Sequence, residues 1–285
     1  MKIEPSIQIE LVTFPSAAPA SAPPNAEPPR HLSSPEAVEW KTFKSEKRRR
    51  EWSAGRLAAK RLVRRRLREQ GIARPLADIR IARLESGEPY AVVGRDGRAR
   101  RYNLSISHSQ GLAACALLLD GRRAVVHARR RTRYRAQCRA QGVTPLARRI
   151  GVDIEQVARR LASWLEESAH PEERSAALEK DPILQTALWT LKEAVMKFLG
   201  TGMTVGLWDI RFKADRPLDS LEDLRTSSLE LHGRAREAWQ SLGRPEILWR
   251  TQTLSSRKGS GPLFCLSIAY VPPQRAVHLM GDETS

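Results

Sequence analysis

The sequence is short of the residues that make small folds rigid by covalent means. It has three cysteines in 285 residues, Cys115, Cys138 and Cys265, too widely spaced for a disulfide framework or a zinc site. It has no run of about 18 apolar residues, so no membrane-spanning helix is expected. Residues 1–5 do not lead into the uninterrupted apolar core of a signal peptide, and together with the few cysteines this points to a reducing cytoplasm. Aromatic residues make up 6% of the chain, little surface for stacking on nucleic-acid bases. Acidic residues are absent from residues 121–149, where ten arginines fall.

The apolar fraction of 41% suffices for a packed core, and the length suits one sizeable domain or two modest ones. The net charge of +17 implies an acidic partner or ligand without choosing among nucleic acid, anionic lipid, polyphosphate and acidic protein. Residues 14–35 are dominated by Pro, Ala and Ser, and the expectation is a disordered tail over residues 1–35. A helical pattern follows, with Ser34 as N-cap and Pro35 at the first helical position, running with one or two breaks to Gly71. Short strands are expected at 79–81 and across 103–119, the latter turning around Ser107-His108-Ser109-Gln110-Gly111. The arginine-rich insert of about 121–149 precedes a strand at 150–154, helices at about 158–167 and 181–199, and a final apolar run over 263–271. Both halves read as helix then strands. The expected fold is α+β, with two similar lobes over 36–149 and 150–285 behind the tail.

Four stretches carry candidate chemistry. In Ile150-Gly151-Val152-Asp153-Ile154-Glu155 the strand period of two sends the aliphatics to one face and Asp153 and Glu155 to the other. Two carboxylates about 4 Å apart repel by about 4 kcal/mol at an effective dielectric of 20, a cost that a hard divalent cation removes. Taken alone, the spacing is a weak signal, and the pair reads first as two solvated acids on a surface strand. In Trp189-Thr190-Leu191-Lys192-Glu193-Ala194-Val195-Met196-Lys197, Glu193 and Lys197 are one helical turn apart, either as a salt bridge or as a third acid beside a phosphate-seeking lysine. Arg56 and Lys60 are likewise a turn apart. Ser107 and His108 at a strand turn suit phosphate contacts, and no Ser/Asp relay accompanies the histidine.

These pieces, in this order, resemble the 4′-phosphopantetheinyl transferase superfamily, specifically its two-lobed type. The signatures are Gly151-Val152-Asp153-Ile154-Glu155 and Trp189 through Lys197, supported by Gly55-Arg56-Leu57-Ala58-Ala59-Lys60, Gly87-Glu88-Pro89 and Asn103 through Ser109. The resemblance implies transfer of the 4′-phosphopantetheine arm of coenzyme A to a serine of an apo acyl or peptidyl carrier protein, releasing 3′,5′-ADP. It implies magnesium, or manganese, held by Asp153, Glu155 and Glu193, with Glu193 and Lys197 catalytic. It further implies Lys192 and Lys197 beside the pyrophosphate, Ser107 and His108 on phosphates, Arg56 and Lys60 on the 3′-phosphate, and Glu88 and Pro89 near the adenine. The expected partner is an acidic carrier, the expected state a monomer, with neither membrane nor nucleic acid as partner. Glu88 stands where the family usually has lysine, and the insert is longer than the usual link, which makes it a candidate docking element for the carrier. A nucleic-acid-binding protein would leave the three acids unexplained. A metal-dependent phosphodiesterase would use the acids but not the ordered lysine and Ser-His motifs.

Overall fold

The computed structural model describes residues 7–15, 26–94, 100–119, 149–255 and 261–272. Its elements are β1 Ile7–Thr13, α1 Ser34–Thr42, α2 Glu46–Arg68, β2 Ile79–Arg83, β3 Pro89–Val93, β4 Arg100–Asn103, β5 Ser105–Ser109, β6 Leu112–Leu118, β7 Ile150–Gln156, α3 Ala162–Ser168, α4 Ala176–Lys180, α5 Pro182–Leu199, β8 Ile210–Lys213, α6 Leu221–Thr226, β9 Ser228–Leu231, α7 Gly233–Ser241, β10 Leu248–Leu254 and β11 Phe264–Tyr270. No helix among the described residues is long and apolar enough to cross a membrane.

The fold is α+β, and its two halves repeat one plan. The first half runs strand β1, long helix α2, the ribbon β2–β3–β4, then the hairpin β5–β6, whose second strand inserts centrally to give the order β1-β6-β5. The second half runs strand β7, long helix α5, the ribbon β8–β9, then the hairpin β10–β11, giving β10-β11-β7 with β11 central. All these pairings are antiparallel.

Alternation along the strands divides the cores. Cys115 and Leu117 of β6 pack with Ala58, Ala59, Leu62 and Val63 of α2. In the second half, Cys265 and Ala269 of β11 pack with Leu188, Leu191, Ala194 and Val195 of α5. The opposite faces, Ala114, Ala116 and Leu118 of β6 with Ile150, Val152 and Ile154 of β7 and Leu266 and Ile268 of β11, form one apolar cluster joining the halves. Both described cysteines are free and buried, and burial pushes the Cys265 thiol up to about 12, so both serve as small core residues.

The long helices end where local chemistry dictates. Asp181 caps α5 by accepting from the Ile183 N–H at 2.8 Å, Pro182 takes its first turn, and Gly200 ends it at φ 75°. The helical pattern from residue 35 forms two helices, with one of the expected breaks between them. The N-cap is Ser33, not Ser34, and the helix breaks at 43–45 before Ser45 caps α2. The expected tail over residues 1–35 is corrected at residues 7–13 and again at 31–35, where Leu32 packs on Trp40 and Trp52 and Ser33 caps α1. Ile7 and Ile9 join the cluster between the halves and Val12 joins the α2 core, as β1 pairs along all of β6. This seven-residue strand supplies the edge that α2 covers. The arginine-rich stretch up to residue 148, and Cys138 with it, lies outside the described residues.

The repeat extends to a buried polar anchor. In the first half, Glu36 accepts from the Ser33 N–H at 2.8 Å and the Ile81 N–H at 3.0 Å, and Lys60 meets it at 2.5 Å while donating to the His31 carbonyl at 2.7 Å. In the second half, Glu173 accepts from the His170 N–H and the Phe212 N–H, both at 2.7 Å, and Lys192 meets it at 2.6 Å while donating to the Ser168 carbonyl at 2.8 Å. Each unit ties the segment before the long helix to that helix and to the first ribbon strand.

Candidate active site

Asp153 and Glu155 reach the site through the strand period, and the period also explains Gly151. These three residues share the face of β7 turned to α5. A Cβ at Gly151 would lie inside van der Waals contact of the Ala194 carbonyl oxygen and 2.7 Å from the Phe198 nitrogen. The missing side chain lets the backbone of α5 settle directly on β7. Two and four residues further along the strand, Asp153 and Glu155 then face Glu193 and Lys197, which lie one turn apart on α5.

The polar geometry is tight. Asp153 is buried, and its Oδ1 accepts from the Lys197 ammonium at 2.6 Å and from the Ser107 hydroxyl at 2.6 Å. Its Oδ2 is buried with no hydrogen-bond partner. Glu155 accepts from the Ser109 hydroxyl at 2.7 Å. Burial raises the Glu155 carboxyl above the ordinary range against the pull of Ser109, and the charge of Asp153 raises it further. Burial also raises Glu193; Lys197 opposes the shift, and Asp153 and Glu155 add to it. His108 sits over the same group, with its Nδ1 3.9 Å from Glu51 on α2. Burial lowers its pKa, Glu51 opposes this, and Arg48 and Lys197 lower it further, so it is neutral near pH 7.

A cavity of about 270 Å³ adjoins this group at Lys197. The turn Gly87-Glu88-Pro89 and Asn103 line it from the first half, and Arg149, Lys197 and Gly200 from the second. It is below the roughly 300–1,000 Å³ of common small-molecule pockets and would take one end of a long ligand. Glu88 pairs with Arg149 at 2.9 Å, and Arg149 donates to the Phe198 carbonyl at 2.9 Å. The turn is thereby fastened to the C-terminal end of α5. A side chain at Gly200 would press on this pair, with Arg149 Nη1 only 2.8 Å from its Cβ.

Three of the expected phosphate contacts lie elsewhere. Lys60 is fully buried and Lys192 is 1% exposed. Lys192 spends its three protons on Glu173, the Ser168 carbonyl and the Leu207 carbonyl. Both lysines belong to the structural anchors. Arg56 is buried beside Glu36, 3.8 Å away, with its guanidinium 4.4 Å from the Trp52 ring centroid. Burial lowers its pKa to about 10, with Arg83 adding to the effect. Ser107 lies in the acidic group, but its one proton is directed to Asp153 and not outward. Glu51, Arg149 and Ser109 join the site without having been expected to contact it. Ser109 had a visible signal, since the alternation Ser105, Ser107, Ser109 places all three on one strand face.

Among the described residues no group of three His, Cys, Asp or Glu side chains stands ready to hold a metal ion; the Lys197 ammonium is the cation now at Asp153. In kind the donors fit a hard divalent cation: oxygen only, with an unpartnered buried Asp153 oxygen and two carboxylates that resist ionisation partly through mutual repulsion.

The first half has the same place without the acids. Glu10, fourth in β1 as Asp153 is fourth in β7, meets Arg65 at 2.8 Å. Arg65 follows Lys60 by five residues, as Lys197 follows Lys192. The positions matching Glu155 and Glu193 are Val12 and Arg61. A surface ion pair is what remains.

Residues 149–240 match the family model of the 4′-phosphopantetheinyl transferase superfamily, which bears out the resemblance over the segment carrying β7 and α5. No curated protein matches. Solved structures similar at low identity include two from Plasmodium yoelii. One is an acyl carrier protein synthase of Plasmodium yoelii with ADP bound, at 20% identity, covering 45% of this chain and 96% of its own, with a TM-score of 0.32. The other is a holo-ACP-synthase of Plasmodium yoelii, at 19% identity, covering 44% and 94%, with a TM-score of 0.31.

Proposed function

We propose that this chain transfers the 4′-phosphopantetheine arm of coenzyme A to a serine of an apo carrier protein, releasing 3′,5′-ADP. The observation that carries the reading is Asp153, Glu155, Glu193 and Lys197 held face to face across Gly151, inside the segment that matches the superfamily.

In this reading the adenine end of coenzyme A enters the cavity by the Gly87-Glu88-Pro89 turn. Lys197, at the junction of cavity and acidic group, meets the pyrophosphate, and neutral His108 donates to a phosphate oxygen. Asp153, Glu155 and Glu193 are the residues that would hold a magnesium or manganese ion, which would supply neutralisation of charge on the pyrophosphate. Glu193, raised in pKa by burial, is suited to take the proton of the attacking serine. The serine oxygen forms a bond to the phosphorus that bears the pantetheine arm, the bridging P–O bond breaks, and 3′,5′-ADP departs with the bridging oxygen. Arg56, Lys60 and Lys192 have no part in this account. The +17 charge suits an acidic carrier, and both halves needed for the cavity are in one chain, in keeping with a monomer.

Release of 3′,5′-ADP from coenzyme A, followed by chromatography, tests the reading. It should require an apo carrier and Mg²⁺, and vanish in Asp153→Ala. Release without a carrier, or hydrolysis of nucleic acid in its place, would favour a phosphodiesterase using the same acids.

A further inference from the structure

Three serines alternate along the edge strand β5, and each hydroxyl accepts a backbone N–H from β7. Ser105 accepts from Val152 at 2.9 Å, Ser107 from Ile154 at 3.3 Å, and Ser109 from Gln156 at 3.2 Å. The two sheets are thus joined edge to edge by side chains standing in for carbonyls. A hydroxyl has one proton to give. Ser107 gives it to Asp153 Oδ1 at 2.6 Å, and Ser109 to Glu155 Oε2 at 2.7 Å. Ser105 has no such partner on β7, because the corresponding position is Gly151.

We infer that Ser107 and Ser109 are positioning residues that orient Asp153 and Glu155 for a divalent cation, each serine holding one carboxylate oxygen and leaving the other for the ion. This rests on the acids forming the cation site proposed above. The two-bond pattern orients each hydroxyl: one lone pair accepts the strand N–H, and the carboxylate, with no proton to give, accepts the hydroxyl's own proton. At Asp153 the result is visible, since Oδ1 carries both donors while the buried Oδ2 has none. An ionised oxygen left so in the interior is costly unless a cation meets it. The arrangement also removes Ser107 from contact with a phosphate, because its proton is already committed.

Ser105 is a built-in control. It makes the same inter-sheet bond and touches no carboxylate, so a purely structural role for the ladder would affect all three positions alike. The test is Mn²⁺ titration of the purified full chain, without coenzyme A, read by electron paramagnetic resonance. Ser107→Ala and Ser109→Ala should each weaken Mn²⁺ binding by about tenfold or more, Ser105→Ala by no more than about twofold, and Ser109→Thr should restore most of the affinity. Ser109 is the last residue of β5, so its variant carries the test if Ser107→Ala does not fold. Equal losses at all three positions, or none at 107 and 109, would overturn the inference. Failure of the wild-type chain to take up Mn²⁺ at all would remove the cation site itself, and the inference with it.

Discussion

Lys192 and Lys197 lie five residues apart in one motif and do different work. Lys192 is sealed in with Glu173, and burial lowers its pKa against the pull of that carboxylate. Lys197 keeps 28% of its side chain exposed, at the cavity. Lys192→Met strands Glu173 in the core and should cost about 3–5 kcal/mol in urea unfolding, as expected for breaking a buried pair; Lys197→Ala removes a part-exposed ammonium from Asp153, which keeps the Ser107 hydroxyl, and should cost clearly less stability while abolishing transfer. Equal stability losses would contradict the division. The residue names were legible in the sequence, but this separation was not, because the partner Glu173 arrives from an unrelated segment 19 residues upstream. Glu193 gives a prediction in pH. Its folded carboxyl is raised above the unfolded 4.5, so the folded state binds the proton more tightly. Its contribution to stability is therefore greatest at low pH and is lost as pH rises from 4.5 through the folded value. Compared with Glu193→Gln, metal-free wild type should lose urea stability over that rise, and Mg²⁺ should reverse the loss; a difference independent of pH would contradict the burial of Glu193.

At the scale of elements, the strand β7 and helix α5 act as one unit, made so by Gly151. Gly151→Ala forces the Ala194 carbonyl and Phe198 away, and overpacking of this kind costs about 1–3 kcal/mol or more. Because the displacement separates Glu193 and Lys197 from Asp153 and Glu155, transfer should fall far more than the thermal midpoint; full activity at wild-type rate would show that the close approach is unnecessary. The two strand faces of residues 150–155 and the helix ending at Leu199 were readable from periodicity and caps; the turn was readable only at Gln110-Gly111, since Ser107, His108 and Ser109, expected on it, belong to strand β5. The strand β1 was not. Its alternation in Ile7, Ile9 and Leu11 was outweighed by the Pro- and Ala-rich stretch that follows, and its burial comes from β6, over 100 residues away. Long-range edge pairing leaves no local mark beyond a period of two.

On the scale of the whole molecule, two halves of one plan carry two copies of the Glu–Lys anchor and a single acidic group. In the sequence the repeat was legible only coarsely, as helix then strands in each half, since the copies share geometry and few identities: Lys60 matches Lys192, but Glu10 and Arg65 stand where Asp153 and Lys197 are. The first half contributes the serine ladder, His108 and the Gly87-Glu88-Pro89 turn; the second contributes the acids and Lys197. The site therefore exists only where the halves meet, and a chain cut between them should lose it. The net charge of +17 enters at this scale too, through encounter with an acidic partner that salt would weaken. The most direct test of the central claim is the intact mass of an apo carrier protein after incubation with this chain, coenzyme A and Mg²⁺. The account predicts a single phosphopantetheine adduct with the wild-type chain and none with Asp153→Ala; no adduct on any of several apo carriers, from a folded wild-type chain, would contradict it.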